Sequence, residues 1–190
     1  MKLRISYNSP VVLTFALTSL AALVLGFVTK GRTNVLLFSV YRSSLRSLLT
    51  YPRFFLHVLG HSGWDHYFGN MLMLLVVGPP LEEKYGGRRL LLAMLVTALI
   101  SGLVQFIFFP GAMLLGASGV VFMMIVMLSM TDMRGGKIPV TLILVLIFYV
   151  GREVINGFTI RDNVSQLTHV IGGVCGAAAG FIYARSPKSR

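Results

Sequence analysis

The sequence predicts an all-α integral membrane protein, one domain spanning residues 1–190 with six transmembrane helices. Three observations carry that prediction. Apolar residues make up 55% of the chain, charged residues only 12%, and the mean hydropathy is +0.79, a balance that no soluble domain of this size tolerates on its surface. The uncharged residues gather in runs that match a hydrocarbon core needing about 20 residues per helix. The 17 Lys and Arg fall between those runs and not along one face. The formal charge of +11 therefore reads as membrane-flanking charge facing anionic lipid, and a nucleic-acid partner is excluded. The single cysteine, Cys175, rules out an intramolecular disulfide, and without a Cys/His cluster no metal and no cofactor is expected.

Taken in order, the first helix is expected over 11–29. MKLR precedes it as in a signal peptide, but the uncharged run is long for one and no small-residue cleavage site follows, so it reads as a retained helix. A long connection, 30–63, carries Arg42, Arg46 and Arg53 among Leu, Phe and Tyr, the pattern of an amphipathic element lying in the interface and interrupted at Pro52. The second helix is expected over 64–81. The uncharged stretch Leu90–Thr131 is too long for one span, and Pro110-Gly111 divides it into helices over 89–109 and 115–131. A short fifth helix over 138–152 and a sixth over 164–184 complete the set. With both termini in the cytoplasm, ten of the 17 basic residues lie on the inside, the arrangement that the positive-inside rule favours.

Three polar clusters sit inside these helices, where each buried polar group needs a partner or a function. In GHSGWDHYFGNM, His66 and Asn70 are four residues apart and share a helical face, with His61 before them on the loop side. In GASG, Gly116–Gly119, Ser118 falls near the start of a helix too short to reach the membrane surface. Its N-terminal N–H groups and dipole favour an oxyanion, and backbone ending at such depth implies water access. In HVIGGVCGAAAG, Gly172, Gly176 and Gly180 form a ridge without side chains that admits a close neighbouring helix, and His169 lies on about the same face. Beside a buried serine, a neutral imidazole serves as general base. Each cluster also has a plainer reading: a hydrogen bond between helices for His66, Asn70 or His169, and close packing for GASG.

Together the clusters resemble the rhomboid family of intramembrane serine proteases, from about Arg46 to Gly180. An H-x(4)-H-x(3)-N string is met by His61, His66 and Asn70, and a G-x(3)-E-x(3)-G string by Gly78, Glu82 and Gly86. GxSG is met by Gly116–Gly119, and H-x(2)-G-x(3)-G by His169, Gly172 and Gly176. The resemblance implies a rhomboid-like fold with a membrane-embedded first loop. It also implies a serine endopeptidase that cuts peptide bonds in or near the transmembrane segments of other proteins. Ser118 is then the nucleophile and His169 the base, with no acidic third member, Asp162 lying in the preceding loop. His66 and Asn70 stabilise the oxyanion beside the backbone N–H of Ser118, Gly119 allows tight packing there, and Gly172 and Gly176 pack helices.

Phe122 stands where many rhomboids carry a tyrosine and is expected to stack on His169. His57 and His61 read as holding the site entrance, and Glu82 as capping or tying the cytoplasmic loop. The family's Trp-Arg pair is not met, and either Arg46 or Arg53 fits its arginine. The short fifth helix and the loop 152–166 are candidates for a substrate gate. The implied partners are transmembrane protein substrates and the lipid bilayer. The compact six-helix form resembles a prokaryotic plasma-membrane rhomboid, and the sequence leaves the oligomeric state open. Two other classes fit part of the pattern: a catalytically silent rhomboid-like protein that binds membrane clients, and a small transporter subunit using His66 and His169.

Overall fold

The computed structural model of the chain describes residues 6–130, 140, 143–144, 147 and 163–184. Among the described residues the fold is all-helical, with no strand beyond a single bridge between Val40 and Leu114. The elements are α1 (Pro10–Val28), α2 (Arg32–Leu36), α3 (Thr50–Leu56) running into a 3-10 turn at His57–Leu59, α4 (Trp64–Tyr85), α5 (Gly87–Phe108), α6 (Ser118–Ser129) and α7 (Asn163–Ala184). By length and composition α1 and α5 are apolar enough to cross a membrane, and α6 and the Leu167–Tyr183 part of α7 are shorter apolar helices.

α6 is the buried centre. Gly119–Met124, Val126 and Met127 are all buried, so this helix meets neighbours on nearly every side. Those neighbours are chiefly α7 and α4, with α5 beside them. Its 12 residues rise only about 18 Å, short of the about 30 Å of a hydrocarbon core. The start falls at Ser118, later than the expected 115, because Gly116 takes φ +128 and its N–H donates to the His57 carbonyl at 2.9 Å. A residue in that conformation cannot belong to a right-handed helix.

α4 runs four residues past its expected end at Leu81. Pro79 and Pro80 each remove one donor but leave the following N–H groups free to bond, and the helix closes only at Gly86, whose φ is +86. Within that extra turn, Glu82 accepts the backbone N–H groups of Val11 and Val12, each at 3.0 Å. It therefore caps α1, whose Ser9 makes no side-chain cap, and so ties the end of α4 to the start of α1. Gly78 supports the same contact, since a Cβ there would lie 2.7 Å from Val12 Cγ2. All three residues of the G-x(3)-E-x(3)-G string thus hold α1, α4 and the turn into α5 together.

The first loop is not one amphipathic element. Arg42 and Arg46 lie on irregular chain and only Arg53 is helical. Pro52 does not interrupt that helix but sits in its first turn, where its missing N–H costs nothing. Arg53 points inward: it is 5% exposed, donates from Nε to the Leu36 carbonyl at 2.9 Å, and lies 4.6 Å over the Tyr41 ring. Arg42 donates to the Phe106 carbonyl at 3.1 Å, at the end of α5, while Arg46 is exposed. The loop packs on α5 where Gly102 meets Phe54 and His57.

The expected gate at 152–166 lies outside the described residues but for 163–166, the start of α7, and most of the fifth helix, 138–152, lies outside them too. Val140, Ile143, Leu144 and Ile147 are helical and all exposed, an apolar stripe at helical spacing.

Candidate active site

Two glycines set the centre of the site. A Cβ on Gly119 would lie 2.8 Å from Thr168 Cγ2 and 3.3 Å from the Thr168 carbonyl oxygen. A Cβ on Gly172 would collide with the carbonyl oxygen of Gly119. One turn on, Gly176 meets the Met123 carbonyl in the same way. α6 and α7 therefore touch backbone to backbone along Gly119–Gly172 and Met123–Gly176, an approach that any larger residue prevents. Ser118 precedes Gly119 and His169 follows Thr168, so the two residues flank one helix crossing. Ser118 is half-buried and His169 is 8% exposed.

Phe122, one turn after Ser118, meets His169 edge to face, with centroids 6.2 Å apart and planes 69° apart. This is a ring contact but not the expected parallel stack. Gly173 leaves room for the same phenyl ring, since a Cβ at that position would lie 3.0 Å from Phe122 Cε1.

The other wall comes from α4. A Cβ on Gly116 would lie 2.7 Å from His66 Nε2, so the imidazole edge rests against the GASG segment just before Ser118. Asn70, 8% exposed, donates one amide hydrogen to the His66 carbonyl at 3.0 Å, which leaves its second amide hydrogen for another acceptor. His66 from α4, Ser118 and Gly119 from α6, Thr168 and His169 from α7, and Gly116 from the segment before α6 thus come to one place. Thr168 was not expected from the sequence, because its approach to Gly119 is made between helices and leaves no signal in spacing.

His57 and His61, expected to hold the site entrance, are both fully buried. His57 Nε2 lies 3.0 Å from the Ala98 carbonyl, and His61 Nδ1 lies 3.1 Å from the Leu59 carbonyl. A carbonyl only accepts, so these ring atoms are the donors. Burial pushes each imidazole down to about 4 against the opposing pull of those carbonyls, with His66 adding to the effect at His61. Both are neutral braces of the first loop. His61 also contacts the His66 ring edge to face at 5.0 Å. Among the described residues no group of three or more His, Cys, Asp or Glu side chains is arranged to hold a metal.

Residues 49–186 match the family model described as Rhomboid domain, well over half of the chain. The chain belongs to the rhomboid family. This rhomboid is similar to Rhomboid-related protein 2 of Mus musculus, with 31% identity over 141 residues, 68% of this chain and 47% of that protein. It is similar to Rhomboid protease GluP of Bacillus subtilis (strain 168), with 30% identity over 182 residues, 87% of this chain and 34% of that protein. RHOMBOID-like protein 1 of Arabidopsis thaliana is 28% identical over 141 residues, 72% of this chain and 35% of the relative. The chain thus spans less than half the length of the curated relatives it matches. The rhomboid family is one of integral membrane proteins and includes intramembrane serine proteases, and the apolar helices of this chain fit that setting.

Proposed function

We propose that this rhomboid is an intramembrane serine endopeptidase that cleaves transmembrane protein substrates with Ser118 as nucleophile and His169 as general base. The observation that supports the reading most is the glycine-to-backbone contact between α6 and α7, because Ser118, at the start of α6, and His169 flank that crossing. In the acylation step His169 takes the Ser118 hydroxyl proton as Oγ attacks the scissile carbonyl carbon, and then returns it to the leaving amine. Water repeats the sequence to release the acyl group. The oxyanion collects hydrogen bonds from the Ser118 N–H, His66 Nε2 and the second amide hydrogen of Asn70. Phe122 limits the tilt of the His169 ring.

The same reading gives the chain six membrane spans, with both termini in the cytoplasm of a prokaryotic plasma membrane. Substrate helices enter laterally and unwind near the fifth helix and the loop 152–166. Labelling of the detergent-solubilised protein with a fluorescent fluorophosphonate tests the proposal. Wild type should label, Ser118→Ala and His169→Ala should not, and Asn70→Ala should label slowly. A well-folded wild type that takes no label overturns the protease reading and leaves a client-binding rhomboid.

A further inference from the structure

His66 does its proposed work only if a hydrogen stands on Nε2, and a neutral imidazole carries one hydrogen on either of two nitrogens. What decides between them is the other edge of the ring. Ser62, an exposed loop residue two before the start of α4, brings two groups to His66 Nδ1: its Oγ at 3.1 Å and its backbone N–H at 3.5 Å. A backbone N–H only donates, so Nδ1 must be the bare acceptor, and Oγ then donates to it as well. The ring hydrogen is left on Nε2, the atom nearest Gly116 in the segment that leads into Ser118.

We propose that Ser62 is a positioning residue that locks His66 in the tautomer with its hydrogen on Nε2, aimed at the oxyanion position. The inference rests on the protease reading for its kinetic consequence but not for its tautomer. Ser62 touches neither substrate nor Ser118 and acts through His66 alone. Its hydroxyl also fixes the ring plane, since two donors meeting one nitrogen oppose rotation about the Cβ–Cγ bond. Threonine at this position keeps the hydroxyl, whereas alanine leaves only the long backbone contact.

Two measurements on the full chain in detergent test this at pH 8, above the ordinary imidazole range of about 6.5. Nitrogen-15 NMR of imidazole-labelled protein, with His66 assigned by the signal lost in His66→Ala, should show Nδ1 bare and Nε2 protonated in wild type. Ser62→Ala should move the ring toward a mixture of tautomers. In parallel, Ser62→Ala should slow fluorophosphonate labelling by about fivefold, the factor for one hydrogen bond of about 1 kcal/mol, and Ser62→Thr should restore it. In a His66→Ala background the same serine substitution should change nothing further. A wild-type ring protonated on Nδ1 overturns the inference. So does an equal loss from Ser62→Ala with and without His66, which would mark a merely structural role of the loop. If wild type takes no label, the protease reading fails and the NMR result alone decides the tautomer.

Discussion

Gly172→Ala tests the contact on which the site depends. The added Cβ would strike the Gly119 carbonyl oxygen and lie 3.1 Å from the Gly119 carbonyl carbon and 3.3 Å from its Cα, where ordinary carbon contacts are about 3.5–4.0 Å. Every obstacle is backbone, so no rotamer change relieves it and α7 must retreat from α6 by about 1 Å. Forcing one methyl group into such a contact costs about 1–3 kcal/mol, which in a unit of this size lowers the thermal midpoint by roughly 3–10 °C. The same displacement opens the gap between Ser118 and His169, and a misplacement of about 1 Å at reacting groups costs on the order of 100-fold in rate. Thermal unfolding and the fluorophosphonate labelling rate, both in the same detergent, read the two effects. Gly69→Ala is the control: its Cβ meets nothing within 4 Å, and a helical alanine there should be neutral or stabilising by up to about 1 kcal/mol. If Gly172→Ala melts and labels like wild type, α6 and α7 do not meet through Gly119 and that crossing does not set the position of Ser118 against His169.

Glu82→Ala should lower the thermal midpoint by the equivalent of about 2 kcal/mol, because it strips two N–H groups of α1 of their acceptor, and Glu82→Gln should fall between it and wild type. Equal midpoints for all three would show that α1 is capped by something else. Arg53→Ala should destabilise clearly through its buried carbonyl contact, whereas Arg46→Ala should stay within about 0.5 kcal/mol of wild type; the reverse order would exchange the roles argued for them. Stability should also fall in acid. His57 and His61 titrate near 4 in the folded protein and near 6.5 when unfolded, so their contribution is complete above about pH 6.5 and lost as the pH drops toward 4. By pH 5 the loss is about 2 kcal/mol per histidine, and a midpoint flat from pH 7.5 to 4.5 would contradict their burial.

Much of the candidate site was legible because its members repeat at helical spacing. His66 and Asn70 four apart, and Gly172, Gly176 and Gly180 at the same interval, state their shared faces without any tertiary knowledge. GASG announced a helix start near Ser118, and α6 begins there and not at 115 because the conformation of Gly116 is imposed by His57 and His66 across the loop. The first loop misled for a related reason. Three arginines among apolar residues look like an interfacial stripe, yet Arg53 turns inward because a carbonyl from α2 and a tyrosine ring wait for it there.

The sequence by itself determined that this chain is built of apolar helices, where most of them run, and which histidines, serine and glycines are the unusual ones. These are local properties: hydropathy, spacing and punctuation act between residues a few positions apart. Only the tertiary structure decided that Glu82 caps a helix that starts about 70 residues earlier, that His57 and His61 are buried braces, and that Thr168 lies under Gly119. Such contacts join segments that carry no trace of one another in sequence, because their partners are chosen by how closely the glycine faces let whole helices approach.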